Sequence, residues 1–314
     1  MTPSTHDTAG TDAFKEKDAA SYDQVAFEFE RLAERYALPI ADKVVELAAI
    51  AAGARALDVG CGTGIVARQV ARRGGPLTRV IGIDLSTGML QTGRALVTAE
   101  GLGEQIELRV GDAESMEFAD ASFDAVLSLY ALRHFPNPGA AVREIFRVSR
   151  PGGRAVIAVG SAPQLFSTAF LRAGFTRVQE SVARLVGRAP LRAPSFLDGL
   201  LDEYLPEQSA AEEAEWTHGI QRYSASVAAL MRAAGFRGVR ASWTGQESAI
   251  ESIDDFWTLQ VVLSSRARKR VADASAQDAA RLREAFNALC RWHLERGGRL
   301  LYRSGALLTV GERH

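Results

Sequence analysis

The chain has 314 residues, with 37 Lys plus Arg against 38 Asp plus Glu for a formal charge of −1, 47% hydrophobic residues and 24% charged residues. This is the make-up of a folded protein of one large domain or two small ones, and it excludes a disulfide-stapled miniprotein, a disordered chain and a membrane-spanning bundle. Balanced charge offers no global attraction to nucleic acid or anionic lipid, so the expected partner is a small molecule, with neither nucleic acid nor integral membrane contact.

Residues 1–12 are largely Thr, Asp, Ser and Gly and lack the basic and apolar regions of a secretory leader, and residues 1–18 read as a disordered lead-in. Residues 19–52 read as helices interrupted by Pro39, with Phe27, Phe29, Leu32, Tyr36, Val44, Val45 and Leu47 as buried candidates. Residues 53–160 then alternate short apolar runs with stretches of helical period, the pattern of a parallel α/β sheet. Five strands are expected there, at Ala54–Val59, Arg79–Ile83, Gln105–Val110, Phe123–Tyr130 and Arg154–Val159, apolar enough to be covered on both faces. Ser86 is placed to cap one crossover helix that ends before Gly101, and Asn137-Pro138 to start another.

Residues 161–223 read as a helical insertion broken by Pro163, Pro190, Pro194 and Pro206. Residues 224–314 complete the sheet with strands near Gly238–Trp243 and Leu300–Val310, which enclose further helices over Ser252–Ser264 and Ser275–Arg296. The basic run Arg266-Ala267-Arg268-Lys269-Arg270 reads as the solvated end of a helix. The two cysteines, Cys61 and Cys290, make no disulfide framework, and the five histidines are scattered, so no metal site is expected and a cytoplasmic setting fits.

The chemistry gathers at the ends of the first strands. Leu57-Asp58-Val59-Gly60-Cys61-Gly62-Thr63-Gly64 closes the first strand with glycines at alternate positions, which let backbone approach a ligand and turn with positive φ. A dinucleotide loop would carry a small residue where this chain has Ile65, and Asp58 suits a cationic ligand better than a diphosphate. Asp84 ends the second strand where a carboxylate can accept from two ribose hydroxyls, and Gly111-Asp112-Ala113 ends the third with an acceptor for an exocyclic amine, while Leu85 and Met89 offer apolar contacts.

These motifs, with Gly-Ile-Asp at 82–84, Ser-Phe-Asp-Ala-Val at 122–126 and Arg-Pro-Gly-Gly at 150–153, resemble those of class I S-adenosylmethionine-dependent methyltransferases. The resemblance implies a Rossmann-like α/β fold with strand order 3-2-1-4-5-7-6, the seventh strand antiparallel, and helical insertions forming a substrate cap. It implies S-adenosyl-L-methionine as cofactor, leaving as S-adenosyl-L-homocysteine. Asp58, Gly60, Cys61, Gly62, Thr63 and Gly64 would hold the methionine end, Asp84 the ribose, and Gly111, Asp112 and Ala113 the adenine, with Leu85, Met89 and Leu129 completing the site.

The segment Leu129–Arg150 is similar to the ubiquinone and menaquinone biosynthesis C-methyltransferases, whose usual Gly-Leu/Ile-Arg-Asn stands here as Ala131-Leu132-Arg133-His134. His134 is thereby the candidate proton acceptor and Arg133 the candidate oxyanion partner. Tyr22, Tyr130, Trp216 and Trp257 are candidates for the acceptor pocket, and Cys61 reads as a packed side chain. The implied activity is methyl transfer to carbon or oxygen of a small aromatic, quinol-like or secondary-metabolite acceptor. A protein that binds the same cofactor without transferring methyl is the alternative.

Overall fold

The computed structural model describes residues 8–161, 190–193, 195–205 and 227–314. The chain divides into two compact units, one of residues 1–160, 219–242 and 306–314, the other of residues 161–218 and 243–305.

In the first unit β1 (Arg55–Val59), β2 (Arg79–Asp84), β3 (Ile106–Val110), β4 (Phe123–Leu129) and β5 (Ser149–Gly160) are parallel, in the order β3-β2-β1-β4-β5. The last strand of the chain, β8 (Leu300–Glu312), follows antiparallel to β5 from Arg154↔Glu312 to Gly160↔Ala306, and β7 (Arg237–Ile250) pairs with β8. This is the expected order, with the last strand reversed. Successive side chains of a strand face opposite ways. Ala125 and Leu127 of β4 accordingly join one apolar layer with Val44, Val66, Val70 and Leu90, while Val126 joins another with Val142, Ile145 and Met231. Such a strand must be apolar along its length, which is why the runs were visible in the sequence.

Helices α2 (Ala26–Tyr36) and α3 (Leu38–Ala48) divide at Ala37, with Pro39 in the first turn of α3, and α4 (Ile65–Gly74), α5 (Thr87–Ala99) and α6 (Pro138–Val148) cross between strands. Ser86 Oγ accepts from Met89 N at 3.1 Å and Asn137 Oδ1 from Ala140 N at 3.0 Å, the two expected caps. The expectation of a disordered segment over residues 1–18 is corrected from Thr8 onward, where α1 (Thr8–Asp23) is helical; residues 1–7 lie outside the described residues. Phe27 is corrected as well, being 76% exposed, because α2 turns Glu30 inward instead to meet Thr63 and Arg68.

In the second unit β6 (Leu191–Ala193), part of a segment expected to be helical, runs parallel to Leu300–Tyr302 of β8. It is followed by α7 (Ser195–Tyr204), α9 (Ile253–Leu263), α10 (Ser265–Asp273) and α11 (Ala276–Glu295), while α8 (Val227–Ala234) belongs to the first unit. Ser252, Ser264 and Ser275 cap their helices by accepting from Asp255, Ala267 and Asp278 amides at 2.9, 3.2 and 3.1 Å. Phe196, Phe256 and Phe286 form the aromatic centre, with ring centroids 5.2 to 5.9 Å apart. From the basic run, Arg266 and Arg270 reach Asp202 at 2.5 and 3.1 Å. Among the described residues no helix is long and apolar enough to cross a membrane, and no three metal-ligating side chains are grouped.

Candidate functional site

The site starts at the end of β1. Gly60 N and Cys61 N donate to Ile83 O at 2.8 and 2.9 Å, folding the glycine loop across the end of β2. Gly60, Gly62 and Gly64 take φ of +68°, +54° and +80°. At Gly60 the requirement is also steric, since a Cβ would sit 2.2 Å from Ala131 Cβ. That close approach lays the residues after β4 against the loop.

Asp58 is fully buried under this loop. Its Oδ2 accepts from Ala67 N in the first turn of α4 at 3.1 Å, while Oδ1 is sealed from solvent with no hydrogen-bond partner. Desolvation pushes the carboxyl up to about 7, the Ala67 amide opposing and the Asp84 charge adding to the rise. Asp84 Oδ2 accepts from Gly62 N at 2.8 Å and Oδ1 from Ser86 N at 2.9 Å, leaving lone pairs on both oxygens. Its pKa is also raised by burial, against the pull of those amides. Leu85 and Val110, at the ends of β2 and β3, are exposed apolar residues, and Met89 and Ala113 are buried beside them.

Two loop residues have structural partners. Thr63 Oγ1 donates to Glu30, whose other oxygen takes Arg68, and Arg68 Nη1 reaches Glu100 at 2.6 Å. Burial pushes the Cys61 thiol well above its ordinary value, with Asp58 and Asp84 adding to the effect, which keeps it protonated.

Helix α1 fastens to three strand ends. Lys15 Nζ reaches Asp112 Oδ2 at 2.7 Å and Glu114 at 2.9 Å, and the two carboxylates raise its pKa against the cost of desolvation. Asp23 Oδ1 accepts from Ser86 Oγ at 2.6 Å and Gly88 N at 2.8 Å at the start of α5. Asp18 Oδ2 lies 2.9 Å from His134 Nδ1, and Tyr22 Oη lies 3.2 Å from His134 Nε2. His134 ends a 3-10 turn, Leu132–His134, and the preceding Tyr130 holds φ +61°, a strained conformation for an aromatic residue. Arg133 is exposed and makes no ion pair among the described residues.

The family model described as "Methyltransferase domain" matches residues 57–157. Over this stretch the chain is similar to that family. Over 165 residues the chain is 36% identical to demethylmenaquinone methyltransferase of Symbiobacterium thermophilum, covering 50% of this chain and 64% of that protein. It is 37% identical over 119 residues to ubiquinone/menaquinone biosynthesis C-methyltransferase UbiE of Hahella chejuensis, covering 38% and 48%. It is 35% identical over 141 residues to methyltransferase GfsG of Streptomyces halstedii, covering 45% and 47%. The matches thus span about half to two thirds of these relatives. Among solved structures, the YcgJ protein of Bacillus subtilis aligns at 20% identity with TM-score 0.49, covering 86% of this chain and 96% of that one.

The first unit carries Asp58, Asp84 and Asp112 at three adjacent strand ends, and α1 adds what sequence reading missed: Lys15, Asp18 and Asp23. Lys15, Asp18 and Tyr22 fall at i, i+3 and i+7, one face of a helix, and that spacing was the available signal. Trp257 lies in the second unit against Phe286, 5.0 Å between centroids, with the Arg283 guanidinium 4.7 Å from its ring. Trp216 lies outside the described residues.

Proposed function

We propose that the chain transfers a methyl group from S-adenosylmethionine to carbon or oxygen of a small aromatic, quinol-like or secondary-metabolite acceptor, leaving S-adenosylhomocysteine. The observation that carries this reading is the set of carboxylates at three neighbouring strand ends beside a positive-φ glycine loop. The orphaned buried Asp58 Oδ1 is an acceptor that an ammonium group would satisfy, and the remaining lone pairs of Asp84 suit vicinal hydroxyls. Leu85 and Val110 provide apolar surface for a flat base next to Asp112.

When bound, the cofactor supplies an electrophilic methyl on a sulfonium sulfur. The protein's part is alignment, exclusion of water and proton removal. His134 takes the proton, and Arg133 stabilises the oxyanion of the acceptor. Tyr22, whose Oη lies 3.2 Å from His134 Nε2, and Tyr130, three residues before Arg133, are assigned to the acceptor. Incubation of the protein with methyl-labelled S-adenosylmethionine and an extract of its host tests the reading. Label in a small-molecule fraction supports it; label in macromolecules, or cofactor binding with no transfer to any fraction, overturns it.

A further inference from the structure

We propose that Glu30 is a positioning residue for the cofactor: from α2 its carboxylate holds the glycine loop in the conformation that receives S-adenosylmethionine. The proposal rests on the cofactor reading above and adds to it a residue that stands outside every motif of the site.

Three glycines at positive φ let the loop take its shape at no steric cost, but they also make that shape easy to lose. One end of the loop is tied to β2, by Gly60 N and Cys61 N on Ile83 O and by Gly62 N on Asp84 Oδ2. The other end, where the loop becomes α4, is held by Glu30. One of its carboxylate oxygens accepts from Thr63 Oγ1, just before Gly64, and the other from Arg68 Nη2, at the first turn of α4. Arg68 N donates to Gly64 O at 2.8 Å, and the neighbouring Ala67 supplies the amide that Asp58 accepts. Glu30 thus brackets the junction between the residues that hold Asp84 and those that hold Asp58. Among the described residues, the Thr63 contact is the only side-chain hydrogen bond from residues 60–64 to another element, since the Cys61 thiol turns back to Gly62 O.

The clamp is dry. The side chains of Arg68 and Glu30 are 2% and 8% exposed, so water does not stand in for either partner. Behind them Glu100 accepts from Arg68 Nη1 and from Arg72 Nη2, each at 2.6 Å, which keeps the guanidinium facing Glu30. A buried ion pair gives little net stability over apolar side chains of the same volume. What it gives here is direction. A carboxylate only accepts, so the Thr63 hydroxyl must point its proton at Glu30, and one rotamer of a β-branched side chain is selected. An apolar residue at position 30 would fill the same space without setting that rotamer or the spacing from loop to helix.

The test combines calorimetry of S-adenosylhomocysteine binding with hydrogen exchange of residues 57–67 in the free, full-length chain. Thr63→Val, which removes the hydroxyl and keeps the shape, should weaken binding about tenfold and speed exchange of the loop amides. Thr63→Ser, which restores the donor, should return both to within about twofold of wild type. Glu30→Gln should act in the same direction as Thr63→Val, and the loss in the double variant should be smaller than the product of the two single losses. Phe236→Leu thins the other apolar layer around Phe146, so it lowers stability away from the loop and should leave both readouts unchanged. Wild-type behaviour in Thr63→Val, equal losses in Thr63→Val and Thr63→Ser, or the same losses in Phe236→Leu overturn the role of Glu30. A wild type that binds no S-adenosylhomocysteine overturns the cofactor reading and this proposal with it, whereas binding that the loop variants leave intact overturns the proposal alone.

Discussion

Asp58→Asn converts a buried ionisable group into a neutral one of the same shape, whose amide oxygen can still accept from Ala67 N. In the wild type the folded carboxyl titrates at about 7 while the unfolded one stays near 3.8. Between those values the folded state holds a proton that the unfolded state has lost. Stability therefore falls as pH rises through this window, and the loss levels off above the folded value. At 1.36 kcal/mol per unit, the wild type should lose about 3 kcal/mol from this one group between about pH 5 and pH 8. Asp84 is raised too and contributes in the same direction, but it is present in both proteins and cancels in the comparison. Urea unfolding of both proteins at the two pH values measures the difference directly. Equal pH dependence in wild type and Asp58→Asn would refute the claim that Asp58 is buried and uncompensated.

Affinity for S-adenosylhomocysteine, followed by calorimetry, should rise with pH up to about 7 in the wild type as Asp58 ionises, and should lose that dependence in Asp58→Asn. His134→Ala should lower turnover at least about a hundredfold while leaving S-adenosylhomocysteine affinity within about twofold, a contrast read from label transfer and calorimetry. Glu30→Ala should cost about 3 kcal/mol because it leaves the buried Arg68 without its inner partner, whereas Phe27→Ser should stay within about 0.5 kcal/mol, both measured by chemical unfolding. Gly60→Ala should abolish S-adenosylhomocysteine binding, since the added methyl meets Ala131 at 2.2 Å.

The parts of this fold that were legible in the sequence are those held by apolar contacts. Leu57, Val126 and Ile157 lie in continuous hydrophobic runs because the sheet is covered on both faces, and Ser86 and Asn137 announced their helices by side-chain chemistry. The glycine loop and the three carboxylates were legible because few residue types meet their backbone and charge requirements. Helix α1 was not, for a physical reason: Lys15, Asp18, Tyr22 and Asp23 anchor it by polar contacts, so it leaves little hydrophobic periodicity to read. The same blindness exchanged Phe27 and Glu30, since Arg68, the residue that makes a buried glutamate tolerable, is 38 positions away in the chain. The short β6 has only Leu191–Ala193 to announce it, too few residues for a period to emerge.

The three-point attachment of α1 sets an order of events. A ligand lying against the ends of β1, β2 and β3 is exchanged only after Lys15 leaves Asp112, Asp23 leaves the start of α5, and Asp18 leaves His134. The first of these is an ion pair whose partners retain some solvent exposure, so added salt should hasten the exchange of spent for fresh cofactor while leaving the intrinsic chemistry alone. The other consequence concerns idle chemistry: on the methyl-transfer reading, displacing α1 would carry Asp18 and Tyr22 away from the His134 ring, and an open site would then lack the groups that orient it as a base.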